Sequence, residues 1–190
     1  MSHTDTALLV IDVQESFRQR PYWQTDDLPA FTNRLQVLID GAKARGIPVV
    51  QIFHVEGDGD EHFSLKSGYV RKLEEITLKA DAIFHKHRHS ALVGSGLDVW
   101  LVENGIRKLI VSGIRTEQCC ETTTRHASDL GYDVDYVTEA TLTFPMTHAS
   151  GTVFSVEDIK KRTELVLADR FARIATVEDA LASTALRSAA

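Results

Sequence analysis

The strongest constraint on this chain is a repeating pattern in which short, unbroken apolar runs are each followed by a stretch of helical period. Residues 7–13 (ALLVIDV) and 109–111 (LIV) are such runs. A run without polar alternation belongs to a strand covered on both faces, as the strands of parallel sheets are. Leu28, Phe31, Leu35, Leu38, Ile39 and Ala42 then recur at helical spacing, Gly46 and Pro48 close that helix, and 47–55 (IPVVQIFHV) forms the next strand. Strand, helix and strand in that order make a right-handed crossover. The same reading predicts strands over 81–88, 133–138 and 171–175. It predicts helices over 97–103, 116–130, 156–170 and 177–186, a partial helical pattern over 65–80, and loops over 14–29, 57–60 and 140–152. No linker or internal repeat interrupts the alternation, which predicts a single α/β domain over residues 1–190.

Composition narrows the function. A chain of 190 residues that is 43% hydrophobic can bury a substantial core. A net charge of −6 with no basic stripe argues against nucleic acid as a partner and leaves a small molecule as the expectation. No apolar run approaches the roughly 20 residues needed to cross a bilayer. Two adjacent cysteines cannot frame a disulfide scaffold, and the N-terminal residues lack a secretory pattern, so a cytoplasmic protein is expected.

Three costly groups stand at or near predicted strand ends. Asp12 interrupts the first apolar run, and a buried carboxylate requires a partner; the plainer reading is a loop-capping Asp. Lys86 follows Ala82, Ile83 and Phe84, and the plainer reading there is a solvated lysine. Cys119 falls on the first turn of the helix predicted after the 109–111 strand, with Thr116 as N-cap and Gly131 as the C-terminal stop. Unpaired N–H groups at a helix start bias a thiol toward thiolate and can receive an oxyanion. The plainer reading of both cysteines is a small buried hydrophobe, and it is retained for Cys120. Strand ends of a parallel sheet open on one side, so the three groups can converge there. Lys86 would then favour the thiolate, and Asp12 would accept its proton. His85, His87 and His89 are too widely spaced along one strand face to share a small ion, and read as surface histidines with at most one reaching the site. Gly94-Ser95-Gly96 does not follow a strand and is not a dinucleotide loop.

The segments LLVIDVQESF, KHRHSA and VSGIRTEQCCETTTRHASDLGYDV together resemble the isochorismatase-like superfamily, also called cysteine hydrolases, which includes nicotinamidases, carbamoylsarcosine and ureidoacrylate amidohydrolases, and isochorismatase. The resemblance implies a three-layer, doubly wound, Rossmann-like α/β sheet of about six mainly parallel strands. It implies a catalytic triad of Asp12, Lys86 and Cys119, and a cis peptide between Ile114 and Arg115 that aims the backbone N–H of Arg115, with that of Cys119, at the substrate oxygen. The implied reaction is hydrolysis of a small amide or related C–N bond through an acyl-enzyme on Cys119. Phe17 and Trp23 read equally as the roof of an apolar substrate pocket or as satellite core; His54, His89 and Arg115 are expected around the substrate, and a homo-oligomer is expected, with a neighbouring subunit able to complete the pocket.

The chain departs from these relatives in places. Nicotinamidases carry an Asp-x-His metal motif after the second strand, where this chain has His54 and Glu56, with His62 further on. No cofactor and no essential metal are therefore expected. Isochorismatase proper lacks the cysteine, so Cys119 argues against vinyl ether cleavage. Arg115, large and cationic, raises the expectation of a carboxylate on the substrate if its side chain enters the pocket. A thiol redox sensor or a non-catalytic binding protein on the same fold are the competing classes.

Overall fold

The computed structural model describes residues 4–57 and 61–183. Residues 58–60 of the expected loop and 184–186 of the expected last helix lie outside them. The elements in order are β1 (Thr6–Ile11), α1 (Leu28–Ala44), β2 (Val49–His54), β3 (Ala82–Lys86), α2 (Leu97–Glu103), β4 (Lys108–Ile114), α3 (Glu121–Asp129), β5 (Asp133–Leu142), β6 (Met146–Thr147), β7 (Val153–Phe154), α4 (Val156–Leu167), β8 (Arg173–Ile174) and α5 (Val177–Ala182). Six strands form one parallel sheet in the order β3-β2-β1-β4-β5-β8, and β6 and β7 form a small antiparallel pair.

The unbroken apolar strands now have their cause. Leu8 and Val10 of β1 point into a core built with α1 and α5, while Ala7, Leu9 and Ile11 point into a second core with α2, α3 and the end of α4. Strand β4 divides in the same way, with Ile110 in the first core and Leu109 and Val111 in the second. Helices cover both faces, so neither face of the central strands can be polar. Among the described residues no helix is long and apolar enough to cross a membrane.

Chain order reverses between β1 and β4. Strands β2 and β3 run outward on one side and β5 and β8 on the other, and the crevice at such a switch point is where open α/β sheets place their ligands.

Three expectations are corrected. Strand β5 runs through Leu142 rather than stopping at 138, because the pairing with β4 shifts after Val111–Tyr136 and resumes at Gly113–Thr141 and Ile114–Leu142. This takes up the first part of the expected 140–152 loop, and the rest contains β6, whose partner β7 lies just beyond it. The partial helical pattern at 65–80 yields only a 3₁₀ turn, Leu65–Ser67. The backbone there pairs elsewhere: Glu15 N–H donates to Arg71 O, and Leu73 N–H to Val13 O. Its apolar residues Leu73 and Ile76 are buried all the same. Finally, the predicted 14–29 loop contains a 3₁₀ turn over Glu15–Gln19.

Candidate active site

Asp12 follows β1 directly and is fully buried, with a left-handed backbone (φ 54°), a conformation that Asp tolerates better than most non-glycine residues. Lys86 ends β3, which is two strands away from β1. Neighbouring strands lie about 4.8 Å apart, so the sheet alone would leave the two residues about 10 Å from each other. The long lysine side chain closes the gap by running past the end of β2. Its Nζ lies 2.7 Å from Asp12 Oδ2 and 3.3 Å from Cys119 Sγ, and donates to Arg88 O at 3.1 Å. Both ionised side chains of the pair are fully buried. Among the described residues no backbone or hydroxyl donor reaches either oxygen of Asp12.

Cys119 arrives from β4. Gly113 has φ 134°, and a Cβ there would stand 2.0 Å from Ile11 O, so glycine lets β4 press against the end of β1 next to Asp12. The Ile114–Arg115 peptide that follows is cis. Thr116 does not cap an α-helix as expected; residues Thr116–Cys120 form a π turn, with Arg115 at its N-cap, and α3 begins only at Glu121. The Thr116 hydroxyl is taken by Thr141, and its carbonyl accepts from Tyr136 Oη at 2.7 Å. Arg115 O accepts from the N–H groups of Gln118 and Cys120, both at 3.2 Å, and passes over the N–H of Cys119 between them.

The expected bias toward thiolate does not hold in the resting site. Burial and the Asp12 carboxylate, acting through its charge and by accepting a hydrogen bond, push the Cys119 thiol well above the ordinary thiol range, and Lys86 offsets only part of this. Lys86 stays an ammonium: burial works against its charge, but Asp12 and Cys119 together carry it above the usual lysine value. The resting group is thus a thiol beside a carboxylate and an ammonium. Cys120 is fully buried, and burial raises its pKa as well.

The residues expected around the substrate are placed unequally. Phe17 is in the α1-side core with its ring edge-on to Phe63 at 5.1 Å, and Trp23 is half-buried against Phe144. His89 is exposed, as are His85 and His87. The Arg115 guanidinium lies over Tyr22 (4.8 Å) and Phe144 (5.8 Å) and 2.9 Å from Glu117 Oε1, and the other Glu117 oxygen accepts from Thr143. Its charge is therefore paired within the chain by Glu117. The sequence does not connect Tyr22, Glu117 or Phe144 with Arg115, because only the fold brings them to it.

His54 lies between Lys86 and Glu56, with Nδ1 3.1 Å from Lys86 Nζ and Nε2 2.6 Å from Glu56 Oε1. The His62 ring packs near Tyr69. With one ring nitrogen turned to an ammonium and the other to a carboxylate, His54 does not fit a metal ligand, and among the described residues no group of three or more His, Cys, Asp or Glu side chains could hold an ion. Gln14, two residues past Asp12, was also missed: its side chain bonds the backbone N–H and C=O of His54 (2.8 and 3.0 Å), tying the end of β2 to the segment that carries Asp12.

Comparison with known proteins identifies the family and the fold. The isochorismatase domain family model matches residues 6–179. The chain is 27% identical over 173 residues to the uncharacterised isochorismatase family protein YrdC of Bacillus subtilis, covering 90% of this chain and 92% of that one. It is 27% identical over 192 residues to the ureidoacrylate amidohydrolase RutB of Stutzerimonas stutzeri, covering 82% and 74%. Among solved structures, a hydrolase of the isochorismatase family from Chromobacterium violaceum superposes with a TM-score of 0.85 at 26% identity, covering 95% and 94%. A six-stranded parallel sheet whose switch point gathers a thiol, a carboxylate and an ammonium, with a family match spanning nearly the whole chain, leads to one conclusion: this chain belongs to the isochorismatase family of hydrolases.

Proposed function

We propose that this protein is a cysteine hydrolase that cleaves a small amide or related C–N bond through an acyl-enzyme on Cys119. The observation that carries the reading is the meeting of Cys119 Sγ, Lys86 Nζ and the Asp12 carboxylate at the switch point, from three separate parts of the chain. A buried thiol with a raised pKa needs a base at the moment of attack, and Asp12 is beside it. Asp12 takes the thiol proton as sulfur bonds to the carbonyl carbon, and Lys86 balances the charge that develops on sulfur. The backbone N–H groups of Arg115 and Cys119 hold the oxyanion. As the C–N bond breaks, Asp12 returns its proton to the departing amine. It then takes a proton from the water that attacks the thioester and passes it to the leaving sulfur.

The name of the amidohydrolase relative supports C–N chemistry. The raised pKa and burial of both thiols count against a redox sensor, whose cysteine is exposed and acidic. The test is a screen of small amides, ureido acids and carbamoyl compounds against wild type and Cys119→Ala. Turnover of at least one compound that Cys119→Ala abolishes is the expected result; equal turnover by both proteins refutes the reading.

A further inference from the structure

The Lys86 ammonium has three protons and four neighbours: Asp12 Oδ2 at 2.7 Å, Arg88 O and His54 Nδ1 at 3.1 Å, and Cys119 Sγ at 3.3 Å. An ammonium can only donate, so His54 Nδ1 must offer its lone pair, and the ring proton must sit on Nε2, facing Glu56 Oε1 at 2.6 Å. The side chain of Gln14 holds the backbone of His54 on both its N–H and its C=O, and the ring lies edge-on to Phe63 at 5.8 Å, so the imidazole is held in place from several sides. Glu56 is half exposed whereas Lys86 is fully buried, and the ring is the bridge between them.

We propose that His54 is a positioning residue for Lys86: as the neutral tautomer whose Nε2–H is accepted by Glu56, it anchors one ammonium proton while Arg88 O anchors a second, leaving the third to shift from Asp12 to Cys119 as sulfur loses its proton. When Asp12 accepts that proton it stops being an anion, and Lys86 loses its carboxylate partner just as charge builds on sulfur. Anchors that do not change protonation state keep the ammonium in register through that step. The proposal rests on the cysteine hydrolase reading for its place in a reaction, but its geometry is testable without a substrate.

Nitrogen NMR of the isotope-labelled imidazole in the full-length protein at neutral pH reads the tautomer directly. An unprotonated Nδ1 and a protonated Nε2 are expected, and Glu56→Ala, which leaves the ammonium on Nδ1, is expected to keep that tautomer with a shifted Nε2 resonance. An Nδ1–H tautomer or an imidazolium in wild type overturns the proposal. In parallel, the rate at which iodoacetamide alkylates Cys119 is read by mass spectrometry. His54→Phe, which keeps the volume and removes the acceptor, is expected to slow alkylation about tenfold or more, the worth of one hydrogen bond to a charged group. His54→Asn, whose Oδ1 can replace Nδ1, is expected to recover most of the rate. An unchanged His54→Phe rate, or equal losses in both variants, refutes the proposal. If the tautomer and alkylation results hold but no amide is turned over, the hydrolase reading fails and the positioning role stands. If amides are turned over but His54→Phe behaves as wild type, the positioning role alone fails.

Discussion

Two buried aspartates lie on the same sheet, and they are held in opposite ways. Asp135, in β5, receives Arg173 through two nitrogens (2.8 and 2.7 Å), Lys108 Nζ at 2.7 Å and Ser183 Oγ at 3.0 Å. Although burial works against its charge, Arg173 and Lys108 hold its pKa below the usual carboxylate range. Asp12 faces one ammonium and a thiol, with no backbone or hydroxyl donor on it among the described residues. A carboxylate saturated with donors is a fixed anion that ties strands together. One with few donors keeps lone pairs free for a proton, and that is the state a general base requires.

The contrast is open to direct attack, and the largest effect belongs to Asp12→Asn. Turnover in that variant is expected to fall by about 10²- to 10⁴-fold, the usual worth of a positioned base, and stability by about 3–5 kcal/mol, because Lys86 is left buried without its carboxylate partner. The Cys119 thiol should nevertheless become more acidic, because Asp12 raises its pKa through both charge and hydrogen bonding. Thiolate ultraviolet absorbance followed against pH checks this; a variant that loses turnover while its thiol pKa rises would contradict the assignment. Lys86→Met should move the thiol the other way.

Asp135→Asn should separate the two effects, costing stability and leaving turnover nearly intact. The expected loss is about 2–3 kcal/mol, below the 3–5 typical of breaking a fully buried pair because Arg173 is half exposed. Urea denaturation measures it.

The pH dependence follows from the same residue. The folded-state pKa of Asp135 is depressed, so its contribution is fully present above the unfolded carboxylate value of about 3.9 and is lost as pH falls through the lower folded value. Wild type should therefore lose part of its stability below about pH 4, and Asp135→Asn should lose less over that window. At the small end, Lys161→Ala removes an exposed i,i+4 partner of Glu157 and should leave the urea midpoint nearly unchanged. A larger loss there would mean that surface pairs matter more than buried ones in this fold.

Much of the architecture could be read along the chain, because its cause is local. The run ALLVIDV is apolar on both faces since helices cover both, and the same run exposes Asp12 as an anomaly. The reach of Lys86 across β2 could not be read, since it depends on strand order and not on any segment's own pattern. Local reasoning about Cys119 went astray for a related reason: proximity to a helix start is visible in sequence, whereas burial and a neighbouring carboxylate are tertiary, and here they outweigh it. Residues 65–80 misled because their apolar spacing serves a core reached by an extended path held to residues 13–15, and apolar spacing alone does not say which backbone they bond.

The claim at the centre is that Cys119 carries the acyl group. Intact-protein mass spectrometry, sampled from milliseconds to minutes after mixing with an amide found in the screen, tests it most directly. A mass increment equal to the acyl fragment should appear on the Cys119 peptide and decay as product accumulates, and Cys119→Ala should show neither increment nor product. Product formed with no increment on Cys119 in wild type, and at an equal rate in Cys119→Ala, would contradict the account.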